Sequence, residues 1–434
     1  MTRFNRAFAF ALAFATAAGF QSAASAQSVR SDLANGATSN FARDRNISVR
    51  QRPHPEYQAP AHRLGAFTVS PTVNVTGEYN DNIYAVANGK ENDFVAHIQP
   101  RIDIASTWSR HALTAYAQGT LNRYADFTTE DSDTYQFGGT GQLDIVRGSY
   151  ISVGADHGRL VEPRTSTSTQ ISSLKPIRYY QSDAYIAGVR EMNRLRLSAR
   201  ADWRKFNYLD GRTALGTPVE QDDRDRTTTS LLGRADYAVS PDTALFVEVS
   251  GNWRDYREKP PVVSLTRDSD GYEILGGANF ELTNLIRGEI GVGYLSQRFD
   301  DPSFRDLNGF GARGEIEWFP TQLTTVTLTG ARTIEDSGLR GSSGYLSTNT
   351  GLQIDHELMR NLILTGNAGY GHDKYQGLDR KDNRVTLGLS ATYLMNRRIS
   401  WNLAYSHFNQ TSDGAAAGFD FKVNRILLTL TGRL

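Results

Sequence analysis

Charged side chains recur at even spacings through much of this chain. Arg196, Arg200, Asp202 and Arg204 form one such run. Arg101 with Asp103, Arg234 with Asp236, Glu248 with Arg254, and Glu273 with Glu281 form others, followed by Glu289 and then Arg313, Glu315 and Glu317. In an extended chain, residues an even number apart stand on one face, so these charges share a face in each segment. Asp144, Asp156 and Asp355 extend the same phase. Fixed charges of both signs along a wet face suit a lined aqueous path, where they orient and select polar solutes without breaking bonds. Arginine dominates around residues 196–234 and glutamate around 273–289. If those segments face each other, the expectation is a transverse field between walls of unlike sign.

Constellations that make or break bonds are poorly represented. Asp355-His356-Glu357 lacks the second histidine of a zinc-protease helix, because position 360 is Arg and the surrounding pattern is that of a strand. Thr266-x-Asp268-x-Asp270-Gly271 resembles the start of a calcium loop, but Thr266 replaces the first carboxylate and Gly277 the bidentate glutamate. The eight histidines are scattered and the chain has no cysteine, which removes thiolate metal sites and disulfides. No metal, cofactor or catalytic residue is therefore expected, and the chain is read as a non-enzyme. A hydrolase whose Ser and His meet only in space would leave no spacing signature and stays as a distant alternative.

The elements that carry these charges follow from composition and periodicity. Lys+Arg and Asp+Glu both number 47 and are interleaved, which gives no electrostatic footprint for nucleic acid. No apolar run approaches the roughly 18 residues a spanning helix needs. At the start, Arg3 and Arg6 precede the apolar stretch 7–20, and Ala24-Ser25-Ala26 offers small residues at a cleavage site. This predicts a secretory signal peptide over 1–26. Residues 27–65 are polar and broken by Pro53, Pro55 and Pro60, and read as a disordered periplasmic arm.

From residue 66 to 434 the texture changes to alternation with period two. In 67–79 the odd positions are apolar, Gly or Pro and the even ones polar. Leu245, Val247, Val249, Gly251 and Trp253 alternate with Glu248, Ser250, Asn252 and Arg254, with Phe246 the one exception. Links between runs alternate in length. Tight turns fall near 109–110, 147–149, 193–194, 240–242, 284–287, 320–322, 359–361 and 396–398. Longer links fall around 81–92, 126–131, 162–177, 209–224, 258–267, 301–305, 337–342, 376–381 and 411–418. The predicted fold class is all-β: a transmembrane antiparallel up-and-down β-barrel of about 18 strands, with short periplasmic turns and longer extracellular loops. Trp108, Tyr150, Tyr237, Trp318, Phe319, Tyr393 and Trp401 lie near the short turns. Tyr79, Tyr124, Tyr208, Tyr256, Phe299, Tyr370 and Tyr375 lie near the long links. Both groups are expected to form aromatic girdles against lipid. A barrel this wide leaves an aqueous channel unless something fills it, and the links at 162–177 and 209–224 are long enough to fold inward.

The stretches Glu78-Tyr79-Asn80-Asp81-Asn82-Ile83-Tyr84, Gln221-Asp222-Asp223-Arg224-Asp225-Arg226 and Arg267-Asp268-Ser269-Asp270-Gly271-Tyr272-Glu273 resemble the putative β-barrel porin 2 family of proteobacterial outer-membrane proteins. So do Arg287-Gly288-Glu289-Ile290-Gly291-Val292-Gly293-Tyr294 and Ser343-Gly344-Tyr345-Leu346-Ser347-Thr348. The likeness covers the barrel, 66–434, and its motifs are structural. It implies location in the outer membrane of a Gram-negative bacterium and a conduit for exopolysaccharide export, working beside a periplasmic polysaccharide export protein. A general small-solute diffusion porin is the alternative. The expected partners are outer-membrane lipid and lipopolysaccharide and the barrel-insertion machinery.

Overall fold

The computed structural model describes residues 46–167, 173–259, 265–339 and 341–434; the signal peptide expected over 1–26 lies outside them. The wall is built from β1 (Phe67–Asn80), β2 (Asp93–Ser106), β3 (Ala112–Tyr124), β4 (Ser132–Val146), β5 (Ser149–Val161), β6 (Arg178–Met192), β7 (Leu195–Tyr208), β8 (Arg226–Ser240) and β9 (Thr243–Tyr256). It continues with β10 (Ser269–Leu282), β11 (Ile286–Phe299), β12 (Leu307–Thr321), β13 (Thr324–Glu335), β14 (Gly344–Met359), β15 (Leu362–Gln376), β16 (Lys381–Leu394), β17 (Ile399–Asp413) and β18 (Phe421–Arg433). Each strand pairs antiparallel with the next. β1 and β18 then pair from Thr72↔Arg433 to Asn80↔Arg425, so the 18 long strands close into a barrel, and a short strand, His62–Leu64, pairs with the start of β1. The tight turns and long links alternate as the sequence predicts, with Gly148 and Asn193 at positive φ in two of the tight turns.

Period-two alternation has the expected physical outcome. Along β9, Leu245, Val247, Val249 and Trp253 are exposed on the outer face, whereas Glu248 and Ser250 are buried inside. Carrying charge on the outer face at bilayer depth would cost about 2–4 kcal/mol for Lys or Arg, which is why the charged phase turns inward.

Phe246, the exception to the pattern, is an inward residue. Its ring lies over Gly277 and Gly291 on β10 and β11, and the Arg234 guanidinium stacks on it at 3.9 Å. A Cβ at Gly277 would come to 2.1 Å from the Ile290 carbonyl oxygen and 2.6 Å from Phe246 Cζ, whereas one at Gly276 meets nothing within 4 Å. Gly277→Val is therefore expected to cost about 1–3 kcal/mol of stability through overpacking, and Gly276→Val to be tolerated on the outer face. Urea unfolding of both variants in lipid vesicles tests this: equal midpoints would remove the close approach as a constraint.

The aromatic girdles differ from expectation. Trp108, Tyr237, Trp318, Tyr393 and Trp401 are exposed at the turn end, but Phe319 is buried inside beneath Arg287. At the loop end Tyr79 and Tyr370 belong to the outward phase, while Tyr256, Phe299 and Tyr375 are buried inside. Nearness to a strand end fixes height in the membrane; parity along the strand fixes the face. The outward aromatics at that level include Phe94, Phe137, Trp203, Trp253, Tyr272 and Tyr294.

The described end of the arm is docked. Residues 46–57, with short 3-10 turns at Val49–Gln51 and Pro55–Tyr57, lie against residues of β11, β13 and β14 and of the adjoining tight turns. Val49 is fully buried, and its amide donates to Thr325 Oγ1 at 3.0 Å. Arg52 donates to Glu357 and to the Gln322 carbonyl. Arg287 donates to the Asn46 carbonyl and to Gln51, and Arg360 to Glu56.

The charged lumen as candidate functional site

All nineteen residues singled out from the charge spacing stand on the inward phase of their strands. Five of them converge. Arg234 on β8 donates to Asp236 on its own strand and to Glu289 on β11 at 2.7–2.8 Å, and lies 3.5 Å from Glu248 on β9. Arg313 on β12 donates to both oxygens of Glu248 at 3.0 and 3.1 Å and reaches Glu289 at 3.5 Å. The Arg234 side chain crosses from β8 toward β11 over the Phe246 ring, which lies where Gly277 and Gly291 present no side chain. Asp236 is wholly buried, and Arg234, Glu248 and Glu289 nearly so. Several of the others form local pairs: Arg204 with Asp183 on β6, Arg196 with Glu191, Glu317 with Arg287, and Arg254 with Asp336 in the loop after β13, whereas Glu315 makes no ion pair among the described residues.

A spacing that sequence reasoning missed organises much of this. Among the described residues an Arg or Gln donates to the Asp two positions on in Arg101–Asp103, Gln142–Asp144, Gln181–Asp183, Arg200–Asp202, Arg234–Asp236, Gln353–Asp355 and Arg380–Asp382. Residues two apart on a strand share a face and lie side by side, so the donor folds onto its own strand's carboxylate. The repeated Arg/Gln-x-Asp triplet was the available signal. The expected transverse field between opposed walls is thereby corrected for its central pair: Arg234 on β8 and Glu289 on β11 stand three strands apart on one stretch of wall and neutralise each other in contact.

Between β7 and β14 the lumen holds a cavity of about 500 Å3. Its lining mixes these paired charges with hydroxyl and amide side chains, among them Ser230, Ser250, Asn252, Gln297, Thr333 and Asn349. The loop end above it is tied by ion pairs. Asp336 forms an ion pair with Arg226 at 2.9 Å and accepts from Arg254, while Arg267 donates to the Ser337 carbonyl and to Asp223. Burial alone would raise the Asp336 carboxyl, but the guanidiniums of Arg254, Arg226 and Arg267 prevail and hold it below the ordinary carboxylate range. Arg224, stacked on the Tyr208 ring at 4.0 Å, joins the loop after β7 to Glu162 in the loop after β5. That second loop folds inward. Its Ser166 and Thr167 share a small cavity with Tyr345 on β14, across the barrel.

A family model described as Putative beta-barrel porin 2 matches residues 54–434. No curated protein matches the chain. Among solved structures, the outer membrane protein OpdK of Pseudomonas aeruginosa superposes with a TM-score of 0.46 at 12% identity, covering 84% of this chain and 99% of that one. The siderophore receptor PirA of Acinetobacter baumannii gives 0.49 at 7% identity, covering 84% and 80%. The ferric enterobactin receptor PfeA of Pseudomonas aeruginosa, as a mutant bound to enterobactin, gives 0.47 at 9% identity, covering 87% and 82%.

Proposed function

This chain belongs to the Putative beta-barrel porin 2 family, an outer-membrane β-barrel of porin type, and from that premise we propose that it is the outer-membrane conduit for an exported exopolysaccharide. The observation that carries the reading is the pairing of lumen charge. A diffusion pore that selects ions presents unpaired charge of one sign, whereas here Arg234 and Arg313 are bonded to Glu289 and Glu248, and hydroxyl and amide groups complete much of the cavity wall. Such a lining suits a neutral or weakly charged, hydroxyl-rich polymer, which exchanges its water hydrogen bonds for those of the wall. Occupied ends support the same reading: the 46–57 segment stands at the turn end and the tied loops at the other. A polymer conduit closed until its cargo or a periplasmic export protein engages it conducts little when isolated.

The test pairs two measurements. Purified protein in planar bilayers is expected to be nearly silent, and deletion of its gene to remove surface polysaccharide. Steady open conductance together with unchanged surface polysaccharide would overturn the export reading in favour of a general small-solute porin.

A further inference from the structure

The outward face of the last four strands carries a charge arrangement that the barrel does not neutralise by itself. Elsewhere at the loop end, outward cations meet carboxylates across the strand: Arg123 with Asp133 at 2.7 Å and Arg298 with Asp270 at 3.1 Å. Lys374 on β15 and Lys381 on β16 instead oppose each other directly, both exposed on the outer face. Neither makes an ion pair among the described residues; Asp413, which pairs with Lys381 on its other side, does not come within ion-pair distance. Like charges directly opposite destabilise a sheet, and an anion between the two ammonium groups would relieve that repulsion. Lys422 on β18 is a further exposed outward cation, and the Lys90 ammonium lies 3.5 Å from its carbonyl.

One step toward the membrane centre, the same three residue types recur on two successive hairpins. Asn383 Oδ1 accepts from the Tyr370 hydroxyl at 2.9 Å and pairs with His372 Nδ1 at 2.8 Å. Asn424 Oδ1 does the same with Tyr405 at 2.9 Å and His407 Nδ1 at 2.7 Å, while its amide donates to Asp81. An amide oxygen only accepts, so each imidazole donates from Nδ1 and leaves Nε2 for a second hydrogen-bond partner. Below this polar layer the surface is apolar, with Leu387, Leu389, Leu403, Ile426 and Leu428 exposed. Read from the loop end inward, the patch offers ammonium groups, then hydroxyl-binding groups, then hydrocarbon.

We propose that this face binds lipopolysaccharide, with Lys374 and Lys381 holding a phosphate of its sugar headgroup, His372 and His407 hydrogen-bonding sugar hydroxyls through Nε2, and the leucine surface beneath taking the acyl chains. The inference rests on the reading of the chain as an outer-membrane barrel whose long links face outward, since lipopolysaccharide occupies the outer leaflet. The order of the three layers matches that amphiphile and places the phosphate at headgroup level beside the aromatic girdle.

Two experiments on the full-length protein separate the site from that premise. Because the chain has no cysteine, Leu378→Cys in the link between β15 and β16 gives a single thiol. Labelling of intact cells by an impermeant maleimide is expected, and failure to label would overturn the orientation and the proposal with it. Protein stripped of lipid and titrated with lipopolysaccharide is then compared with K374A/K381A. The double variant is expected to bind roughly 30-fold more weakly, each lysine beside an anionic headgroup contributing about fivefold. The outward Arg298→Ala variant, with an unchanged unfolding midpoint, is expected to bind as the parent does. Parent-level binding by K374A/K381A would overturn the site, as would equal binding by the parent of phosphatidylglycerol vesicles, which supply phosphate without the phosphorylated sugars.

Discussion

Replacing Arg234 by leucine is expected to destabilise the barrel by about 3–5 kcal/mol, the cost of leaving a buried ionic group without its partner. The side chain is a hub for three carboxylates, Asp236, Glu248 and Glu289, and it also covers the Phe246 ring. Arg313 still reaches Glu248 and Glu289 in the variant, so most of the loss falls on Asp236, which is fully buried and bonded to Arg234 alone among the ion pairs described. Arg234→Leu combined with Asp236→Leu should therefore recover much of the loss, because removing both partners avoids the uncompensated charge. Tryptophan fluorescence during urea unfolding in vesicles gives the comparison. A loss of about 1 kcal/mol or less for the single variant, the worth of a solvated pair, would mean that lumen water screens the cluster.

The barrel is legible in the amino-acid sequence because its wall separates two solvents. A strand with lipid outside and water inside must alternate, so turns at 147–149 and 193–194 stand out as breaks in that alternation. The same logic puts Arg234, Glu248 and Glu289 on the inner face, yet it does not say that they meet. Contact depends on neighbouring strands and on side-chain reach, and the strand separation in sequence between Arg234 and Glu289 hides a contact of 2.7 Å. Phe246 shows the reverse case: a breach of the pattern marks a packing device that depends on Gly277 and Gly291, which only strand pairing brings beneath its ring. The loop-end aromatics depart from expectation for a local reason. Tyr256, Phe299 and Tyr375 are the right kind of residue at the right height, but the parity of each strand turns them inward, where Tyr256 and Tyr375 stack with arginines.

The docked segment 46–57 has no periodicity to betray it, since it forms no strand and its contacts are side chains meeting the barrel wall singly. Its placement makes the second strong prediction. Val49 sits fully buried against Thr325, and Arg52 joins it to the wall through Glu357, whose own side chain is nearly buried. Reversing the charge in Arg52→Glu sets two carboxylates against each other in that pocket, and like charges there cannot both remain ionised at contact. The segment is expected to leave the wall, and a protease added from the periplasmic side to cut between residues 46 and 60. If the segment closes the conduit, the variant should conduct several-fold more than the parent in planar bilayers, and Glu357→Arg combined with Arg52→Glu should restore both the docking and the silence by rebuilding the pair in the opposite sense. Release of the segment with no change in conductance would place the barrier at the other end, where Asp336 ties Arg226 and Arg254 across the loop mouth. In that event neutral Asp336→Asn, which frees those guanidiniums from their shared partner, is the variant that should open the pore.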